Sequence, residues 1–153
     1  GRKAGAPADN KWYNNIFVRS GLDSVKKAEG YQSDYNLFLE GAKKSLFGDE
    51  HSVADAHVTE FSIEERPNGV TITFSAGDQQ RQLEEPWVND KLVGVFTTAG
   101  QTIEDRYGNP ITVDTDITGK KRSKPVVGPL ANLKSGSNSI SWTKGKIYIK
   151  EKK

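Results

Sequence analysis

The chain has 153 residues, of which 34% are hydrophobic and 27% are charged. This length suits one domain with its own core, and the absence of cysteine excludes disulfides, thiolate metal sites and cysteine nucleophiles. A formal net charge of only +2 argues against a nucleic-acid packaging protein, which needs a large positive excess. Since no apolar run approaches the roughly 20 residues that span a bilayer, we expect no membrane partner.

The first eleven residues lack apolar periodicity and contain small residues, one proline and the basic pair Arg2 and Lys3. A segment of this kind is typical of a flexible arm that becomes ordered only where something holds it. The sequence therefore predicts an N-terminal arm over residues 1–11 and a single domain over residues 12–153.

Residues 20–48 carry the pattern of a helix pair. Ser20 and Asp23 have capping-box spacing, Ser33 restarts the pattern, and Gly48 is a natural helix stop. The apolar residues after Ser33 form a broad stripe at helical spacing, made of Tyr35, Leu37, Phe38, Ala42, Leu46 and Phe47. We therefore expect an N-terminal helix or helix pair.

Later in the chain the hydrophobic period becomes two, which indicates strands. The segment EFSIEERPNGVTITF, residues 60–74, alternates on both sides of a Pro67-Asn68-Gly69 turn and predicts a β-hairpin. Further hairpins are predicted at DRYGNP, residues 105–110, and around Lys144-Gly145, and no internal repeat is evident. The predicted fold class is α+β, with the helices followed by an antiparallel β-sandwich or partly closed barrel.

Candidate catalytic and metal-binding residues are few. His51 and His57 lie among Asp49, Glu50 and Asp55, but their spacing of six matches no familiar ligand pattern, so an acidic solvated loop is the preferred interpretation. The acid pairs Glu64-Glu65 and Glu84-Glu85 raise the idea of glycoside chemistry. Adjacent residues on a strand face opposite ways, which argues against each acid pair acting together. With no other candidate in the sequence, we expect no catalytic residue, no metal, no cofactor and no enzymatic activity.

A compact basic cluster lies in the segment GKKRSK, residues 119–124, and consists of Lys120, Lys121, Arg122 and Lys124. The cluster suits contact with nucleic-acid phosphates or with the acidic face of a partner subunit, while a solvated loop is the simplest alternative. Aromatic residues are the other resource for nucleic-acid binding, because bases stack on exposed rings. The candidates are Trp12, Tyr13, Trp87, Tyr107 and Trp142.

The pattern L-x-x-G-x-N-x-I-x-W is carried by Leu133, Gly136, Asn138, Ile140 and Trp142. It resembles the closing strands of tail proteins of the distal-tail type from tailed bacteriophages. The resemblance implies a final strand in a β-sandwich that packs into a ring, and a protein made in the host cytoplasm and incorporated into the virion.

Together these features predict a non-enzymatic structural subunit of a bacteriophage particle, in the tail or at the head–tail junction. It is expected to form a homo-oligomer and to contact other virion proteins through Arg2, Lys3 and the basic cluster. The alternative is a small single-stranded nucleic-acid-binding protein of OB-like type, with stacking on Trp12, Trp87, Tyr107 and Trp142.

Overall fold

The computed structural model describes residues 8–55, 60–78 and 85–143. It is nearly all β, with 36% strand and 4% helix, and its sheets are not closed. The α+β prediction with an N-terminal helix pair is therefore wrong. The described elements, in chain order, are β1 Lys11–Tyr13, β2 Ile16–Val18, β3 Gln32–Asp34, β4 Leu37–Leu39, β5 Val53–Asp55, β6 Phe61–Arg66, β7 Gly69–Ala76, α1 Asp90–Val93 and β8 Gly136–Thr143.

The first five strands form a parallel coil. Strand β1 pairs with β3, while β2 pairs with β4 and β4 with β5, all in parallel. Lys11 is opposite Gln32 and Ile16 is opposite Leu37, so the chain returns to the same place in each sheet after 21 residues. This arrangement is two turns of a parallel β-helix, in which each turn stacks on the one before, and β5 begins a third.

Backbone conformation explains why the predicted helices do not form. Positive φ angles occur at Asn14 and Tyr35 (61° and 55°), and again at Arg19 and Glu40 (66° and 49°). The members of each pair are 21 residues apart, so they occupy the same corner of successive turns. A residue with positive φ cannot continue a right-handed helix, and the helical stripe is therefore cut twice within six residues.

The coil is filled on the inside and covered on one outer face. Inside, Phe17 and Phe38 stack with ring centroids 5.0 Å apart and planes 10° apart, and they pack with the buried Leu22 and Ala42. On the outer face, Leu37 and Leu39 pack with Val127 from a distant loop. Strand β4 is thus buried on both faces, which makes it the centre of the core.

Asparagines stack at the corner between the two sheets of the coil. Asn36 is fully buried, and its amide oxygen accepts hydrogen bonds from the Asn15 backbone amide (2.9 Å) and side chain (3.1 Å). Its amide nitrogen donates to the Trp12 carbonyl (2.8 Å) and to Asp49 Oδ1 (3.0 Å). The ladder provides partners for the Asn15 backbone amide and the Trp12 carbonyl at this corner.

The remaining strands form a three-stranded antiparallel sheet in the order β6-β7-β8. The predicted hairpin is confirmed, since β6 and β7 pair from Phe61 opposite Phe74 to Arg66 opposite Gly69. The DRYGNP segment forms a turn closed by one isolated bridge, Glu104 with Pro110, and no paired strands. The first strand of the third predicted hairpin is β8, which pairs with β7. The predicted turn at Lys144-Gly145 lies outside the described residues.

Two predictions concern the ends and the membrane. Residues 1–7 of the predicted arm lie outside the described residues, whereas Asp9 is buried and accepts hydrogen bonds from Thr97 and Thr98, and Lys11 begins β1. Residues 8–11 are thus part of the fold.

Within the described ranges, no helix is long and apolar enough to cross a membrane.

Candidate functional site: an aromatic cleft

A cleft of about 630 Å³ lies where three parts of the chain meet. The first wall is the corner between β1 and β2, the second is one face of the antiparallel sheet, and the third is the loop of residues 113–129. Its lining is mainly apolar and consists of Tyr13, Asn14, Asn15, Ile16, Val18, Phe61, Ile72, Phe74, Val88, Val113, Thr115, Asp116, Ile117, Arg122, Gly128, Pro129, Ile140 and Trp142.

The sheet wall is aromatic because of strand alternation. Residues opposite each other on paired strands share a face, and every second residue along a strand returns to it. The face turned to the cleft carries Phe61, Ile72, Phe74, Ile140 and Trp142. Phe74 and Ile140 are buried, whereas Phe61 and Trp142 remain 40% and 38% exposed. Two aromatic rings on the same wall of the cleft are thus partly open to solvent.

The coil wall contributes Tyr13 and Asn14. The Tyr13 hydroxyl donates to Gln32 Oε1 at 2.8 Å, and burial together with the nearby Asp34 carboxylate raises the pKa of the phenol. The Asn14 amide oxygen is buried and has no hydrogen-bond partner among the described residues. A buried acceptor without a partner costs roughly 1–3 kcal/mol, so Asn14 is a polar residue with an unsatisfied acceptor at this end of the cleft.

The third wall is a loop held by two buried charged residues. The Asp116 carboxylate accepts hydrogen bonds from the backbone amides of Thr118 (2.8 Å), Lys120 (2.9 Å) and Ala131 (3.0 Å). Burial by itself raises the pKa of Asp116, but the hydrogen bonds from these three residues outweigh it and bring the pKa down to about 2. Asp116 is therefore an ionised anchor of the loop at neutral pH.

Arg122 is the second anchor. Its guanidinium donates to four carbonyl oxygens at 2.7–3.3 Å, those of Thr115, Val126, Gly128 and Leu130. Gly128 has positive φ, and a side chain there would run into Ile16, so this residue lets the loop approach the coil. Together these contacts fix the loop against the β-helix.

Glu85 lies near Arg122. Burial raises the pKa of Glu85 to about 7, although Arg122 and a hydrogen bond from the Val127 amide lower it in part. Its Oε2 atom is buried without a hydrogen-bond partner among the described residues. The carboxyl group is therefore readily protonated near neutral pH.

The predicted contact residues divide between buried and exposed positions. Arg122 is buried, whereas Lys120, Lys121 and Lys124 are exposed. Lys121 forms an ion pair with Asp114 at 3.4 Å. Arg2 and Lys3 lie outside the described residues.

The predicted stacking residues are similarly divided. Tyr13 and Trp142 line the cleft. Trp12 packs against the interior of the coil, Trp87 is half-buried away from the cleft lining, and Tyr107 is exposed beside the Arg106 guanidinium, 4.8 Å from its ring centroid. These rings therefore do not form one common platform.

The described histidine and carboxylate candidates, His51, Glu64, Glu65 and Glu85, are not among the residues that line the cleft. His51 Nδ1 is 2.7 Å from Asp34 Oδ2, and this hydrogen bond raises the pKa of His51. The imidazole stacks on Tyr35, and no group of three or more potential metal ligands occurs within the described ranges. Glu64 and Glu65 are exposed on β6, and His57 and Glu84 lie outside the described residues.

Sequence reasoning missed Phe61 and Asn14 as cleft residues. Phe61 was recognised only as a strand residue, and its position opposite Phe74 decides that it faces the cleft. The usable signal for Asn14 is the pair Asn14-Asn15, which is followed by Ile16-Phe17-Val18 and matched by Asn36-Leu37-Phe38-Leu39 in the next turn.

The fold and the site define a β-helix protein with an attached antiparallel sheet and a cleft of ligand size. No protein-family model and no curated protein matches the chain. A solved structure titled "The complex structure of XylC with xylose" matches 88% of this chain with a TM-score of 0.71 and 18% sequence identity. The chain spans about a quarter of that protein's length (26%). At this identity the likeness shows a shared fold.

Proposed function

We propose that this chain is a non-enzymatic carbohydrate-binding module that holds a short saccharide in the aromatic cleft. The observation that carries the proposal is the pair of half-exposed rings, Phe61 and Trp142, on the sheet wall, facing a cleft that Tyr13 and Asn14 line from the coil side. The cleft volume of about 630 Å³ lies within the range of roughly 300–1,000 Å³ that is typical of small-molecule sites.

The chemistry of the walls suits a sugar ring. A pyranose has an apolar C–H face that packs on the electron-rich face of an aromatic ring, and hydroxyls at its edge that need hydrogen-bond partners. Phe61 and Trp142 supply the first kind of contact, and the polar side chains of Tyr13 and Asn14 in the coil wall are positioned to serve the second. A protein of the same fold has been solved with xylose, which supports a sugar as the ligand class.

Calorimetric titration of the protein with xylohexaose, cellohexaose and a hexamer of galacturonic acid tests the proposal. Replacing Trp142 by Ala removes a ring whose burial by ligand is worth about 1.5–3 kcal/mol, so we expect the dissociation constant to rise roughly 10- to 150-fold. Tyr107→Ala is the matched control, since Tyr107 is 71% exposed and lies outside the cleft lining. Failure of all three hexamers to bind, or equal loss in both variants, would contradict the proposal.

A structural role in a virion is the second proposal, and the exposure of Lys120, Lys121 and Lys124 on one anchored loop favours it. Replacing these three lysines by glutamate should then abolish a homo-oligomer seen by light scattering while the circular dichroism spectrum stays unchanged. Arg122 must be left in place because it holds the loop. A monomer in the unmodified protein, or an oligomer that survives the triple replacement, would count against this role.

Single-stranded nucleic-acid binding remains a prediction of the sequence. Its stacking residues are dispersed, and Arg122 is the only basic residue among the described residues that line the cleft. Titration with an oligo(dT) at low salt tests it: binding that quenches Trp142 fluorescence and weakens with salt would support it.

A further inference from the structure

We infer that the saccharide bound in the cleft is acidic and carries carboxylate groups, as a chain of uronic acid residues does. This inference rests on the proposed function. It comes from the position of the basic loop, residues 118–124, at the rim of the cleft.

The basic loop and the cleft share their supporting residues. Thr115 and Ile117 line the cleft, and Thr115 forms an isolated antiparallel bridge with Lys121. The turn between them is closed by hydrogen bonds to the Asp116 side chain from Thr118 and Lys120. Lys120 and Lys121 therefore lie within one tight turn of Thr115 and Ile117, and Lys124 follows three residues after Lys121.

The rim carries uncompensated positive charge. Lys121 is paired with Asp114, but Lys120 and Lys124 form no ion pair with any described residue. Asp116 is also ionised, but it is buried, accepts hydrogen bonds from the backbone amides of Lys120 and Ala131, and is matched by the opposite charge of the buried Arg122 on the same loop. A cleft with one charged rim attracts ligands of the opposite sign over a distance of several ångströms.

The other charged groups around the cleft do not cancel this field. At the Tyr13 end, Asp34 is hydrogen-bonded to His51, whose pKa is thereby raised. Beneath the loop, Glu85 has a raised pKa and lies near the Arg122 guanidinium. Each of these carboxyl groups thus has a basic residue beside it, whereas Lys120 and Lys124 form no ion pair with any described residue.

The experiment compares hexagalacturonate with xylohexaose in calorimetric titrations of the intact chain at 0.1 M and 1 M salt. The Debye length falls from about 10 Å to about 3 Å over this range, so we expect the acidic hexamer to bind more tightly than the neutral one at low salt and to lose that advantage at high salt. The double variant Lys120→Gln/Lys124→Gln should weaken binding of the acidic hexamer about three- to tenfold and leave the neutral hexamer unaffected.

The matched control is Lys26→Gln/Lys134→Gln, which removes the same net charge from two exposed lysines that do not line the cleft. Equal weakening by both double variants would overturn the inference, because it would reflect net charge alone. Equal affinity for the two hexamers, insensitive to salt, would also overturn it while leaving the proposed function standing. Failure of both hexamers to bind would overturn the inference, and failure of cellohexaose as well would overturn the proposed function with it.

Discussion

Replacing Asn36 by Ala should destabilise the protein more than the loss of a small side chain implies. Asn36 is fully buried at the corner of the coil. Its amide group is hydrogen-bonded to Asn15 and Trp12 in the first turn and to Asp49 in the loop that follows β4. An alanine there leaves the Asn15 backbone amide without the one acceptor that the structure gives it.

The size of the effect follows from these partners. A hydrogen bond contributes about 1 kcal/mol net, and a buried polar group left without a partner costs about 1–3 kcal/mol. With the Asn15 amide and the Trp12 carbonyl both deprived of the Asn36 side chain, we expect a loss of about 3–5 kcal/mol in the free energy of unfolding. For a chain of this size that corresponds to a fall in Tm of roughly 6–20 °C.

Urea titration followed by circular dichroism measures the free energy directly, and a thermal scan gives the change in Tm. Asn132→Ala is the matched control, because Asn132 is exposed and makes no hydrogen bond to any residue that the structure describes, and we expect it to change stability by less than about 0.5 kcal/mol. If Asn36→Ala cost no more than the control, the asparagine ladder would not be what stabilises the corner.

Three further predictions concern stability. Phe38→Ala removes a fully buried ring that stacks inside the coil, so the free energy of unfolding from urea titration should fall by about 3–5 kcal/mol. The control Phe47→Ala removes a ring that is 39% exposed and should lower it by less than about 1 kcal/mol. Similar losses in the two variants would show that the stacked rings are not the core of the coil. Asp116 has a folded pKa of about 2, below its ordinary value of 3.8, so its contribution is present above about pH 4 and is lost as pH falls toward 2. Asp116→Asn should therefore lower Tm at pH 7 and match the unmodified protein near pH 2, and a gap that does not depend on pH would contradict this. Glu85 has a pKa of about 7 in the folded protein against an ordinary value of 4.5, so its ionisation destabilises the fold as pH rises from about 4.5 to 7. Glu85→Gln should therefore raise Tm at pH 8 and leave it unchanged at pH 4. No gain in Tm at pH 8 would refute the raised pKa of Glu85.

The antiparallel hairpin was predictable from sequence because its determinants are local. Pro67-Asn68-Gly69 specifies the turn, and the alternation on either side places Phe61 and Phe74 on one face. The partner of β7 on its other edge was not predictable in the same way. Strand β8 begins at Gly136, some 60 residues later in the chain, and nothing local specifies that pairing.

The β-helix was missed because its strands do not alternate. Leu37, Phe38 and Leu39 are all buried, since Phe38 faces the inside of the coil while Leu37 and Leu39 are covered by Val127. A strand of three residues buried on both faces gives an unbroken apolar run, which periodicity alone cannot distinguish from part of a helix. The signal that was present is the recurrence of asparagine followed by three apolar residues after 21 positions, at Asn15 and Asn36.

The cleft was beyond sequence reasoning because no single segment contains it. Its walls come from the corner at Tyr13, the sheet face around Phe61 and Trp142, and the loop that includes Ile117. Whether a given aromatic residue is a core residue or a site residue depends on what packs against it. Trp12 and Trp142 look alike in sequence, yet Trp12 packs into the coil and Trp142 stays half-exposed in the cleft.

The basic cluster shows how burial assigns different roles to residues that look equivalent. Arg122 has a rigid fork of donors that matches four carbonyl oxygens around it, which a lysine ammonium cannot reproduce. Replacing Arg122 would deprive these carbonyls of the guanidinium and release the loop, so any change in the proposed assembly or saccharide binding would be confounded with a loss of stability. Variants limited to Lys120 and Lys124 keep the anchor and change only the charge at the rim. For this reason they can separate a binding role of the loop from its structural role, which a replacement of the whole cluster cannot do.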